Sequence, residues 1–220
     1  SNTTYPPEIS DSSNGKFYPL QMQKGENADP YFWGPEFGFA RAMYDAGWKR
    51  LIIIKSSRGG GGNTYWSKKA FLEDKGRGHM WGHLVEVILM ALNQLRKNSE
   101  KFLIRGFMYL QGESNNSSES QLAGLRLEEL IDGLNLCINR IFPGTSLHMR
   151  SFIAEIAASK SNAERLTTVR QHQALAVRRQ DLYFVPTHDL PLKNDALHFG
   201  SAAKLEIGRR FAHSFLSSCK

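Results

Sequence analysis

Only two cysteines, Cys137 and Cys219, occur in 220 residues. That excludes a disulfide framework, and their separation fits no metal-ligand spacing. Cys137 falls in a helix-spaced apolar series and reads as a buried thiol. No apolar run approaches the roughly eighteen residues of a membrane span, so no membrane partner is expected. Long charged tracts are missing too. Lys and Arg total 28 against 21 Asp and Glu, a net charge of +7. The basic residues cluster only as doublets such as Lys68-Lys69, Arg178-Arg179 and Arg209-Arg210. A nucleic-acid footprint would be a concentrated stripe with interleaved aromatics, so nucleic acid is not an expected partner. The charge favours solubility and some attraction for acidic surfaces.

What is present suffices for one core. Hydrophobic residues make up 41%, with 13 Phe and 4 Trp, which excludes global disorder. The length suits a single domain spanning 1–220 and is too short for two ordinary ones. The chain opens Ser1-Asn2-Thr3-Thr4-Tyr5-Pro6-Pro7, without the charged and apolar regions of a leader. The expectation is an intracellular protein or one whose leader has been removed. Sequons at Asn2, Asn115 and Asn116 permit secretion, so the compartment stays open.

Residues 1–33 are rich in Ser, Asn, Pro and Gly and read as loop. Helical spacing then appears over 35–46, 80–97, 127–141, 162–179 and 200–217. Between these stand four strand candidates: Leu51-Ile52-Ile53-Ile54, 102–110, 147–156 and 182–185. Alternating helix and buried strand predicts an α/β fold, a three-layer αβα sandwich of flavodoxin-like kind around a mostly parallel sheet. Chemistry in such sheets gathers at the carboxyl ends of the strands, which here are 55–66, 111–116 and 187–198.

Several residues in those segments carry chemistry. Asp195 stands three before His198 on a loop leading into the last helix, a spacing that lets a carboxylate orient an imidazole. Gln111 offers a side-chain amide at a strand end, and Gly60 and Gly61 lie in a glycine loop whose amides can approach a substrate closely. Arg58 can pair with a carboxylate. Trp66 and Tyr109 can stack on a flat ligand face or pack in the core. Glu113 can accept from ligand hydroxyls or brace neighbouring loops. His79 and His83 are spaced i, i+4, but the Glu of HExxH is absent because Met80 follows, and no third ligand is evident. No metal and no cofactor is therefore expected. His148, His172, His188 and His213 read as packing or surface residues, with His188 distinguished by preceding Asp189 at a strand end. A nucleotide-binding reading of the glycine loop meets Gly62-Asn63-Thr64 where a P-loop needs GK[ST].

Four ordered blocks carry a resemblance. Gln111-Gly112-Glu113-Ser114-Asn115 resembles the WxQGESD block of the carbohydrate esterase family that holds acetylxylan esterases and sialate O-acetylesterases, within the SGNH-hydrolase superfamily. Gly34-Pro35-Glu36-Phe37-Gly38-Phe39-Ala40 is similar to its GPExxFA helix start, and Gly60-Gly61 with Trp66 to its GGxxxxxW loop. Asp195-Ala196-Leu197-His198 with Gly208-Arg209-Arg210-Phe211-Ala212 resembles its DxxH block and final GRRxA helix. The resemblance implies a serine-type acetylesterase acting on an acetylated saccharide. His198 would be the base, Asp195 its orienter, Gln111, Gly60 and Gly61 the oxyanion donors, and Glu113, Arg58 and Trp66 substrate contacts. The family's nucleophile lies in a GQSN block ending its first strand, and no Gly-Gln-Ser-Asn occurs here. Ser1-Asn2 matches the second half of that block; Ser13-Asn14 lacks a preceding apolar strand. The expectation is a sheet of about five strands whose first is missing from this sequence, with Ser1 as the nucleophile. The alternative is a carbohydrate-binding pseudo-esterase without turnover.

Overall fold

The structure is a computed structural model that describes residues 16–24, 31–146, 149–158 and 162–219. Ser1, Asn2, Ser13-Asn14 and His148 lie outside these residues. Two short strands, β1 (Gln23–Lys24) and β2 (Tyr31–Phe32), pair antiparallel within a stretch that reads as loop. Helix α1 (Glu36–Asp45) follows and ends at Gly47, whose φ of 94° suits a residue without a side chain. A 3₁₀ turn (Asn63–Trp66) leads into α2 (Lys68–Glu73) and α3 (His79–Lys97). Then come β3 (Gly106–Tyr109), α4 (Ser117–Gln121), α5 (Ala123–Ile141) and β4 (Arg150–Ala154). The order closes with α6 (Ala163–Arg178), β5 (Leu182–Val185) and α7 (Ser201–Ser218).

The main sheet runs β3-β4-β5 and is parallel throughout. Side chains of a strand alternate faces, so β4 feeds two cores. Ile153 joins Trp81, Leu84, Leu92 and Leu95 of α3, Leu127 to Ile138 of α5 and Leu175 of α6. Its neighbours Phe152 and Ala154 join Phe39 and Met43 of α1 and Ile207, Phe211 and Phe215 of α7. Helices thus cover both faces, the three-layer arrangement that the alternation predicts.

The Leu51–Ile54 run departs from expectation. Among the described residues it belongs to no ladder, and the main sheet has three strands rather than about five. Contacts nonetheless tie the flanks of this segment to residues 100–111. At its start Arg50 pairs with Glu100 at 3.0 Å and Arg105 lies over Trp48; at its end Gly61 O accepts from Gln111 Nε2 at 3.1 Å. Ile53 packs on the α1/α7 core, whereas Ile52 is 45% exposed. An apolar run supplies the burial of a strand, but a ladder also needs a neighbouring edge within hydrogen-bonding distance. No backbone hydrogen bond joins residues 51–54 to another described segment.

Candidate active site

The sheet's carboxyl edge brings together the segments after β3, β4 and β5. Asp195 Oδ1 accepts from the backbone amides of Leu197 and His198, each at 2.9 Å, and Oδ2 accepts from His198 Nδ1 at 2.9 Å. Ala196, between them, takes a left-handed φ of 52°, a conformation that costs a non-glycine residue about 1 kcal/mol. That turn is what folds the carboxylate back onto the imidazole. Three hydrogen bonds from Leu197 and His198 hold the Asp195 carboxyl far below the ordinary carboxylate range. With Nδ1–H donating to Asp195, Nε2 of the exposed imidazole is the acceptor, ready to take a proton from a hydroxyl.

Glu113 lies within electrostatic reach of His198, which links the loop after β3 to the Asp195–His198 pair. It is partly buried, and desolvation pushes its carboxyl above the ordinary range despite backbone hydrogen bonding and the nearby Arg165 charge. Arg165 Nε also donates to Glu113 O at 3.3 Å.

Gln111 is buried against the glycine loop. Its Nε2 donates to both Gly61 O (3.1 Å) and Asn115 Oδ1 (2.9 Å), and its Oε1 accepts from Tyr109 OH at 2.8 Å. Both amide hydrogens are therefore engaged, and donation to an oxyanion, its expected role, would require releasing one of the two. Burial pushes the Tyr109 phenol up and keeps it a donor. Tyr109 is 7% exposed, and Trp66 packs against the same core. Tyr109 is thus a packing residue, while Trp66 packs on the core with part of its ring surface still accessible.

The glycine loop presents Gly59 and Gly60 to solvent, with Gly60 at a φ of 68°. No described residue hydrogen-bonds the Gly60 or Gly61 amide. Arg58 precedes them. Its Nη1 donates to His79 Nε2 at 2.7 Å, and its guanidinium lies 4.9 Å from the Tyr65 ring centroid. His79 Nδ1 donates to Gly76 O, and His83 Nδ1 is hydrogen-bonded to Ser56 Oγ at 2.9 Å. The two histidines thus serve separate partners, and no cluster of three or more metal-ligating side chains occurs among the described residues.

Two further histidines are placed clearly. His172 is buried beside Tyr109. His188 is held not by its neighbour Asp189 but by Glu155, whose Oε2 accepts from Thr187 N, His188 N and His188 Nδ1. Asp189 instead pairs with Arg210 at 2.6 Å. A surface groove of about 520 Å³ between β5 and α7, lined by Pro186, Arg209 and His213, contains none of the groups around His198.

Residues 17–217 match the family described as carbohydrate esterase, sialic acid-specific acetylesterase. The chain belongs to that family. An X-ray structure of a protein from Arabidopsis thaliana shares the fold, with a TM-score of 0.71 at 19% identity, covering 98% of this chain and 86% of that one. No match emerges among curated proteins. Seen as a member of the esterase family, the chain keeps the motif residues around two structural jobs. Asp195 and His198 form one pair, while Gln111 and Asn115 tie the loop after β3 to the glycine loop. The residues that sequence reading missed are Asn63, Glu119 and Arg126. One cue for them was present: Asn116-Ser117-Ser118-Glu119 has the spacing of a capping box, which the structure contains.

Proposed function

We propose that this protein hydrolyses O-acetyl esters on a carbohydrate by serine acyl transfer. The observation that carries the reading is the Asp195-held, solvent-exposed imidazole of His198 on the loop between β5 and α7. Ser1 attacks the acetyl carbonyl while His198 Nε2 takes its proton; His198 then returns the proton to the departing sugar oxygen. Water releases acetate from the acyl-enzyme with His198 again as base. The amides of Gly60 and Gly61 stabilise the developing oxyanion. Arg58, braced by His79 and Tyr65, offers charge to the carboxylate of an acidic sugar, in keeping with the family's sialic acid-directed description. Glu113 contacts the sugar near His198.

Acetate release from p-nitrophenyl acetate and from O-acetylated sialic acid tests this. His198→Ala is expected to lower kcat/KM by about 10³-fold or more, and turnover that survives the change overturns the mechanism. A serine-directed phosphonate should label Ser1, located by mass spectrometry of the adduct peptide. An adduct on another serine overturns that assignment. Saccharide binding without acetate release or adduct would make the protein a sugar-binding module instead.

A further inference from the structure

The glycine loop is fastened to α4 by a buried polar network. Thr64 N donates to Glu119 Oε1 and Asn116 N to Glu119 Oε2, each at 3.1 Å. Asn63 Nδ2 donates to Glu119 O at 2.8 Å, and Asn63 N to Asn115 Oδ1 at 2.9 Å. Asn115 Nδ2 anchors this to α6 through Thr168 Oγ1 at 3.2 Å. From α5, Arg126 Nη1 donates to Asn63 Oδ1 and Thr64 Oγ1 and lies 3.8 Å from the Glu119 carboxylate. Gly62 shows how close the fit is. Its φ of −75° is open to any residue, yet a Cβ there would stand 2.1 Å from Glu119 Oε2. Glycine at 62 thus serves the close approach of a carboxylate, not an unusual backbone angle.

The fixed part of the loop ends at Gly61, whose carbonyl Gln111 holds; Gly59 and Gly60 extend beyond it into solvent. A glycine run alone has the largest backbone freedom to lose, whereas oxyanion donors act only when held near the reacting oxygen before it charges. We propose that Glu119, together with Asn115, is a positioning residue that clamps the glycine loop and so fixes the Gly60 and Gly61 amides for acyl transfer. This rests on the ester-hydrolysis reading.

Two measurements on Glu119→Ala, Glu119→Gln, Gly62→Ala and the double variant Gly62→Ala/Glu119→Ala test it. One is kcat and KM for p-nitrophenyl acetate; the other is hydrogen exchange of the peptide covering 57–66. Glu119→Ala is expected to lower kcat about 30-fold with KM changed less than about threefold, and to speed exchange in 57–66 while β4 stays protected. Glu119→Gln keeps one acceptor oxygen and should fall between it and the wild type. Gly62→Ala should resemble Glu119→Ala and add little in its background, because the carboxylate it displaces is already gone. That variant also answers if Glu119→Ala folds poorly. Unchanged kcat per folded molecule alongside faster loop exchange would make the network purely structural and overturn the proposal, as would unchanged exchange. If the wild type releases no acetate, the hydrolysis reading fails by itself. The exchange data then decide separately whether the clamp exists.

Discussion

His172 and His198 are the same side chain in opposite surroundings. His198 is exposed and held by a carboxylate, while His172 is 1% exposed and burial pushes its pKa down to about 4. The linkage follows from that direction. In the unfolded chain the imidazole gains its proton near the ordinary value, but in the folded protein it stays neutral until much lower pH. The unfolded state therefore binds more protons between about 6.5 and 4, and stability falls as pH falls through that window. Urea unfolding at pH 7 and pH 5 should show a loss of about 2 kcal/mol from this residue. His172→Gln should flatten that part of the pH dependence; an unchanged slope would assign it to other groups. Residue scale also separates two meanings of a motif. Asp195 and His198 were legible because their spacing alone allows the contact. Gln111 was legible as a strand-end amide but not its partners, since only its surroundings reveal that both hydrogens face Gly61 and Asn115.

Between elements, the most demanding contact is the crossing of α1 and α7. A Cβ on Gly38 would stand 2.0 Å from Leu205 O, and one on Gly208 would stand 2.0 Å from Pro35 O. The obstacles are backbone atoms, which cannot swing aside as a side chain would. Gly208→Ala should therefore force the helices apart and destabilise the protein by about 2–3 kcal/mol, measured by urea midpoint with an unchanged m-value. This gives the GRR block a physical meaning: its Gly208, facing Gly38 of α1, lets two helices touch. Glu36, in the first turn of α1, accepts from Gly34 N at 2.8 Å and pairs with Lys55 at 2.7 Å, tying the start of α1 to the segment after Leu51–Ile54. The elements themselves were readable where periodicity ran long. α3, α5, α6 and α7 fall where the apolar spacing put them, whereas α2, α4 and the 3₁₀ turn are too short to show a period.

For the molecule as a whole, β4 is the shared wall of both cores. Phe152 and Ile153 are each 0% exposed on opposite faces, opposite Met108 and Tyr183 in one case and Tyr109 and Phe184 in the other. Truncating Phe152 to Ala should cost about 3–5 kcal/mol. Because one strand feeds both layers, circular dichroism and tryptophan fluorescence should still report one coincident unfolding transition; two separate transitions would mean that the layers fold independently. By itself the amino-acid sequence determined the layer architecture, through the alternation of long helical periods with short apolar runs. It also determined the Asp195–His198 pair, through contacts local along the chain. Tertiary structure alone decided that Leu51–Ile54 has no ladder partner among the described residues, that Tyr109 belongs to the core with Trp66 packed against it, and that Glu119 grips a loop 55 positions away. The reason is physical. Hydropathy and spacing report what a segment can bury or bond nearby, while partners far along the chain are chosen only when the sheet and helices bring their edges and side chains together.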